Sequence, residues 1–507
     1  MQLGKKKLIF SCYKKEILCH MKERWFLLFI AVALVLIQSD CHKQKVAVSV
    51  PGIRRIQFNE PPLKLGAVNI VTTQLNDPNV LCASGNLRVW EYAGETYRAV
   101  WKAETYNYLG VAIGDIDGDG KREIVGLGRC PYSQGADRKE QSYNAYFLEA
   151  YKEDASVDWN GRKVWKSTFG DDPDNAVSDD DRWTGGGGIE ITLADVDGDR
   201  TKEILFISGQ WLAVYKYNPL AEDKVRKTPG ALKKVAAVRP DIEGHHLCLR
   251  SVTVWDLDGD GENEILVSTN VGLPSRWFVE LAAPGYVLVY HLRNGVLELM
   301  SYLSVDAVLS SIRVGDLDND GKPELCSLGY KTNGKLNQAF VFIWDEEPNE
   351  PSAPLARMDS DLVASHDGHR TSSLWVRHEI PFGKPNEWKP HFSLEAGELD
   401  AKHPGDEIVL ALSSFLQLTV CYWKGSADLI SLHDVFYEDT LSMIVGRVIV
   451  ADTDGDSKNE IIFAGSRKVG PHSGWYYLEI LDGNLKEKWG SSGGEFGELA
   501  IISAAVG

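Results

Sequence analysis

The residues best placed to do chemistry in this 507-residue chain are aspartates at alternate positions of a short loop. The pattern first reads Asp115-Ile-Asp117-Gly-Asp119-Gly-Lys121-Arg-Glu123. It returns as Asp195, Asp197, Asp199, Thr201, Glu203 and as Asp256, Asp258, Asp260, Glu262, Glu264. Two further copies hold Asp316, Asp318, Asp320, Lys322, Glu324 and Asp452, Asp454, Asp456, Lys458, Glu460. Every copy has carboxylates at loop positions 1, 3, 5 and 9. Carboxylates this close repel one another, and a divalent cation relieves the repulsion. Oxygen ligands on a flexible loop suit calcium better than magnesium. The position-7 residues Lys121, Thr201, Glu262, Lys322 and Lys458 are expected to supply a carbonyl, and the Glu at position 9 to close the shell. Gly or Asn at position 4 permits the sharp turn.

The EF-hand shares the first half of this pattern but needs its Glu at position 12 and helices on both sides. Here the Glu stands at position 9 and strands flank the loop. Solvated Asp-Gly turns are the bland alternative, and five matching copies argue against it. A sixth copy, Glu398-Leu-Asp400 through Asp406-Glu407, carries Lys402 where the third Asp belongs. A seventh, near Gln74 to Pro78, retains only Asp77. Five calcium sites are therefore expected.

The elements that must position these loops repeat with them. A short apolar stretch precedes each full loop, such as Val111-Ala-Ile113 or Ile312-Arg-Val314, and another follows, such as Ile265-Leu-Val267. Runs of this kind bounded by Gly and Asp read as buried strands. A third strand carries Tyr or Trp, as in Leu87–Tyr92, Leu212–Tyr215 and Ala339–Trp344. A fourth often holds an apolar residue such as Trp101, Trp165 or Trp489. A unit of about 60 residues and four strands has the size of a propeller blade. Two longer spacings imply insertions near 170–188 and 346–370.

These loops and flanks resemble FG-GAP/VCBS repeats, the calcium-loop blades of integrin α-subunit-like propellers and of many bacterial exported proteins. The resemblance covers residues 66–507 and implies an all-β propeller with calcium between the first two strands of a blade. Seven four-stranded blades are expected, or eight if the chain is truncated. The carboxyl-terminal Ile501-Ile-Ser-Ala-Ala-Val-Gly507 looks like the strand that enters a loop. It reads either as a closing strand for the first blade or, the favoured expectation, as the opening of a further repeat in a truncated chain. Val68 to Thr73 is expected to be the first blade's inner strand.

The formal charge is −18, and residues 1–50 carry nine Lys/Arg against three Asp/Glu, so the remainder is more acidic still. Such a surface repels nucleic acid and anionic lipid. Trp25 to Ile37, behind Lys22-Glu-Arg24, reads as the apolar core of a secretory signal beginning at Met21. Gln38-Ser-Asp-Cys41 resembles a bacterial lipoprotein signal, although Asp40 stands where a small residue is usual. An uncleaved anchor is the alternative. The expected organisation is a targeting segment over 1–41, a linker over 42–65 and a propeller over 66–507, in a secreted, periplasmic or cell-surface protein. The body cysteines Cys82, Cys130, Cys248, Cys326 and Cys421 are odd in number and scattered, so they read as buried apolar residues.

No catalytic constellation is visible. His366-Asp-Gly-His369 lies in an insertion without a third ligand, and His245-His246 point to opposite faces of a strand. The Gly185–Gly188 run leads into an apolar strand rather than a helix. The favoured expectation is a non-enzymatic propeller that binds protein or glycan, with Trp183, Trp375 and Trp388 as candidate contacts. The alternative is a carbohydrate-active enzyme of the polysaccharide-lyase type. A basic cluster with aromatics converging on the central groove would mark the second reading.

Overall fold

Short apolar runs rich in Val, Ile, Leu and aromatics, broken every few residues by Gly and Asp, form antiparallel strands throughout the computed structural model. The structure describes residues 69–506 except 76–84, 95, 103–107, 133–142, 153–162, 170–188, 209, 223–228, 243, 258, 275–278, 334–335, 348–373, 387–391, 401, 404, 413–416, 426–427, 437–442, 469–473 and 491–499. The expected signal, Cys41, Cys82, the degenerate loop at 74–78 beyond Leu75, His366, His369, Trp183 and Trp388 therefore lie outside the described residues. The chain divides into Met1–Asn59 and Glu60–Gly507, and all described residues belong to the second unit.

The strands run in chain order. The first three are β1 (Asn69–Leu75), β2 (Gly85–Tyr92) and β3 (Tyr97–Lys102). A blade follows from β4 (Tyr108–Gly114), β5 (Glu123–Tyr132), β6 (Tyr143–Lys152) and β7 (Lys163–Phe169). The next is β8 (Ile189–Ala194), β9 (Glu203–Ser208), β10 (Trp211–Glu222) and β11 (Pro229–Val238). A wider sheet holds β12 (Asp241–Ile242), β13 (His245–Trp255), β14 (Glu264–Pro274), β15 (Val279–Arg293) and β16 (Val296–Val305). Then come β17 (Val308–Gly315), β18 (Glu324–Asn333), β19 (Leu336–Glu347) and β20 (Leu374–Asn386). The chain goes on through β21 (Phe392–Gly397), β22 (Glu407–Leu412), β23 (Gln417–Trp423) and β24 (Leu429–Phe436). It ends with β25 (Met443–Ala451), β26 (Glu460–Lys468), β27 (Gly474–Leu481), β28 (Glu487–Gly490) and β29 (Ala500–Val506).

The innermost strands touch in cyclic order, β29, β4, β8, β13, β17, β21, β25 and back to β29, which is a β-propeller. The expectation of seven four-stranded blades, or eight, is corrected by the strand pairing. Six sheets are four-stranded and one has five strands. The extra strand is the two-residue β12, folded onto β13 by a tight turn. Asp241 accepts the Gly244 N–H at 2.8 Å, and Gly244 takes φ 77°, a left-handed conformation that glycine adopts without strain.

The eighth blade is overturned by the place of β29. It pairs antiparallel with β1 and becomes the innermost strand of the sheet β29-β1-β2-β3. Asn69–Leu75 is therefore the second strand of that sheet, not its inner one. Pairing β1 with β29 in one blade removes an unpaired edge, which is the physical advantage of this arrangement.

The apolar cores lie between neighbouring sheets. Leu205, Val214, Leu249 and Val267 pack between the blade of β8–β11 and the sheet of β12–β16. Ile70, Trp90, Ile462 and Ala504 close the last junction between the β25–β28 blade and the first. Each buried Leu, Ile or Val contributes about 1.5–3 kcal/mol. Cys248, Cys326 and Cys421 are buried free thiols, as expected of apolar residues, and burial pushes Cys421 up to about 12.

Candidate metal centres and the axial charge cluster

Each acidic loop joins the first two strands of its blade and is shaped by its own carboxylates. Asp115 accepts the Gly118 and Gly120 N–H groups at 2.7 and 2.8 Å, one on each oxygen. Asp117 accepts the Asp119 N–H, and Asp119 accepts the Lys121 N–H at 2.8 Å. Glu123 reaches back to the Ile116 N–H at 3.1 Å. The same bonds recur in the other loops. Glu203 accepts from Val196, Glu264 from Leu257, Glu324 from Leu317 and Glu460 from Thr453. The turn needs left-handed backbone at positions 4 and 6, which Gly118 and Gly120 supply at φ 75° and 80°. Asn319, Arg200 and Ser457 adopt the same region elsewhere, and at Arg200 and Ser457 an N–H bond to the first loop Asp offsets the cost to a non-glycine residue.

The same folding of the loop brings carboxylate oxygens together. Oxygens of Asp115, Asp117 and Glu123, of Asp195, Asp197 and Asp199, of Asp316, Asp318 and Asp320, and of Asp452, Asp454 and Glu460 come within 4.8 Å of one another. Asp258 lies outside the described residues, so Asp256, Asp260, Glu262 and Glu264 form only part of that loop here. The donor set is oxygen alone and fits a hard divalent cation.

The loop at 316–324 gives the plainest test of that fit. Glu324 is 0% exposed and its Oε1 has no hydrogen-bond partner. Asp316 Oδ1 is likewise buried without one. Burial, with the charges of Asp318, Asp345 and Asp320, pushes the Glu324 carboxyl up to about 8. Burial and the Asp320 charge also raise Asp318. A bound cation would satisfy the orphaned oxygens and remove the repulsion.

The loop at 398–407 is built differently. Glu407 accepts the Leu399 and Asp400 N–H groups at 2.7 and 3.2 Å. Asp400 lies 3.3 Å from His403. Asp406 leaves the loop altogether and accepts the Asp316 N–H of the neighbouring blade at 3.2 Å. Among the described residues no ligand group forms here.

A second charged assembly was not legible as a site in the sequence. Arg313 of β17 donates to Glu395 of β21 at 2.9 Å and to Glu190 of β8 at 3.0 Å. Arg447 of β25 lies 3.2 Å from Glu190. Ser251 of β13 donates to Glu190 at 2.6 Å and accepts from Arg313 at 2.9 Å. Strands β8, β17 and β25 are not neighbours in the ring, so these pairs cross its axis. Burial raises the Glu190 carboxyl, but Arg313, Arg447, Ser251 and the Val252 N–H outweigh it and hold it below the usual carboxylate range. The available signal was a lone charge inside an apolar strand. Glu190, Ser251 and Arg447 stand five residues before a first loop Asp, and Arg313 stands three before Asp316.

The other described candidates lie on separate strands. His245 and His246 lie on β13, opposite Ile242 and Asp241. Trp375 lies on β20 opposite Glu346.

No protein-family model and no curated protein matches the chain. Solved structures do. A rhamnogalacturonan lyase of Bacillus licheniformis is 14% identical with a TM-score of 0.34, over 79% of this chain and 84% of that one. The periplasmic gluconolactonase of Pseudomonas aeruginosa is 12% identical with a TM-score of 0.33, over 84% and 83%. The Nup133 β-propeller domain of Vanderwaltozyma polyspora is 9% identical with a TM-score of 0.37, over 87% and 99%. At these values the likenesses carry no argument about activity, and the assignment as a propeller rests on the strand pairing.

Proposed function

We propose that this chain is a calcium-binding propeller of the FG-GAP/VCBS kind, exported and used as a rigid module that binds protein or glycan. The observation that carries the cation is the convergence of Asp316, Asp318 and Asp320 oxygens within 4.8 Å, with Asp316 Oδ1 buried and unpartnered. Binding at the loops would brace the turn between the first two strands of a blade and leave the ring's surfaces for a partner. Isothermal calorimetry tests the metal. Asp318→Asn should lose one calcium ion, whereas Asp400→Ala should leave the number unchanged, because Lys402 adds a repelling charge and no acceptor. Equal losses in both variants would sink the assignment of ligands. The ligand is tested with a glycan array probed by the purified protein.

A second reading is a polysaccharide-lyase-type enzyme. Arg313 and Arg447 with Glu190 and Glu395 at the ring axis favour it, since basic groups and carboxylates together can bind an acidic sugar and move a proton. Product release from acidic polysaccharides, abolished by Arg447→Ala, would decide for it.

Export belongs to the same proposal and rests on the charged segment and apolar run after Met21. Amino-terminal sequencing of the mature protein should find Met1 absent. A cytoplasmic product that retains Met1 would refute export.

A further inference from the structure

The five acidic loops share their ligand pattern, but the residues facing that pattern from the same blade differ. The position-9 Glu opens the second strand, and antiparallel pairing sets one residue of the third strand opposite it. Ile204 pairs with Tyr215, so Glu203 faces Lys216. Glu123 pairs with Lys152. Ile265 pairs with Tyr290, so Glu264 faces His291, and the two side chains are hydrogen-bonded. Leu325 pairs with Trp344, so Glu324 faces Asp345. Ile461 pairs with Leu481, so Glu460 faces Asp482.

In the blade of β8–β11 the lysine reaches into the acidic cluster of the loop. Lys216 Nζ lies 2.7 Å from Asp197, 2.5 Å from Asp199 and 2.9 Å from Glu203. Those are loop positions 3, 5 and 9, most of the ligand set itself. Asp197 and Asp199 accept hydrogen bonds from this ammonium, and Glu203 adds an ion pair. In the blade of β25–β28 the third strand has an acid at that place, and the lysine comes instead from the fourth. Lys488 Nζ lies 2.6 Å from Asp454 and 2.7 Å from Glu460. It falls where the pairing of β27 with β28 slips, between Trp489 and Glu487. A bulge of this kind re-aims a side chain, here towards the loop.

The loop at 316–324 has neither device. Among the described residues no lysine or arginine pairs with Asp316, Asp318, Asp320 or Glu324. Instead Asp345 faces Glu324, and Asp406 of the next blade accepts the Asp316 N–H.

We propose that Lys216 and Lys488 are tethered ammonium ions that take the place of the divalent cation in the loops at 195–203 and 452–460. The loop at 316–324, which among the described residues has added acids and no such lysine, is then built to depend on metal. This rests on the calcium reading above. A tethered group competes at high effective concentration, so calcium must expel the lysine before it can bind. The arrangement makes the blades that hold Lys216 and Lys488 independent of calcium supply and leaves the metal response to the loop at 316–324 among the described loops.

Calcium calorimetry on the full chain tests this, with circular dichroism to confirm folding of each variant. Asp318→Asn should lose a tightly bound ion. Asp197→Asn and Asp454→Asn should lose none. Lys216→Met, or Lys216→Gln if the first fails to fold, should gain one ion or tighten one at least about tenfold. A loss in Asp197→Asn equal to that in Asp318→Asn would overturn the proposal. So would folded Lys216 variants whose calcium binding matches wild type. Wild-type protein that binds no calcium at all would overturn the calcium reading, and this inference with it.

Discussion

Replacing Arg313 by alanine is expected to destabilise the propeller by about 3–5 kcal/mol, the cost of breaking a buried ion pair from one side. Arg313 is 7% exposed and joins Glu395, Glu190 and Ser251, which come from three other innermost strands. Its removal leaves Glu395 without that partner and Glu190 with Arg447 as its remaining cation, beside Ser251 and the Val252 N–H. Burial works against the Arg313 charge, but the two carboxylates outweigh it and keep the guanidinium protonated. Neutralising the acids as well, with Glu190→Gln and Glu395→Gln, should recover part of the loss, because apolar or neutral replacement of a whole cluster costs less than stripping one partner. Urea denaturation of the single and triple variants measures both effects. A loss under about 1 kcal/mol for Arg313→Ala would show that the axial cluster is solvated rather than buried.

Removing calcium is expected to lower the melting temperature, and to do so most at alkaline pH. Extracellular calcium modules have dissociation constants near 10⁻⁴–10⁻³ M, so millimolar calcium contributes about 0.4–1.4 kcal/mol per occupied loop. The pH term follows from Glu324, raised to about 8, and Glu407, raised to about 7, both chiefly by burial. A carboxyl with a raised folded-state value prefers its proton in the native protein. Without metal it therefore destabilises the fold progressively as pH rises from about 4.3 to about 8. Asp199, held near 2, acts with the opposite sign but only below about pH 4, outside that window. The EDTA-treated protein should thus melt higher at pH 5.5 than at pH 8, while saturating calcium should shrink the difference. Differential scanning calorimetry at both pH values, with and without metal, checks this. An EDTA-treated protein that melts higher at pH 8 would contradict the assignment.

The amino-acid sequence by itself determined the local chemistry. Alternating acids after an apolar strand specify a turn in which Asp115 can tie down Gly118 and Gly120, and Glu123 can cap Ile116. Those bonds span no more than seven residues, so spacing alone predicts them. The strand sequence within a blade and the burial of Cys248, Cys326 and Cys421 were legible for the same reason. What joins distant segments was decided only by the tertiary structure. Ala500–Val506 has the composition of any inner strand, and nothing local distinguishes a new blade from the closure of the first; its pairing with β1 does. The short β12 depends on a turn whose partner strand must already be in register. Glu190 and Arg447 are 257 positions apart in numbering and meet only because the ring brings non-adjacent inner strands to one axis. The loops look equivalent as strings of letters. Lys216 lies beyond its loop, in the third strand, and Lys488 further on, in the fourth. Which loop already holds a cation is set by strand register and by one bulge, and both come from packing of the assembled sheet rather than from residue spacing.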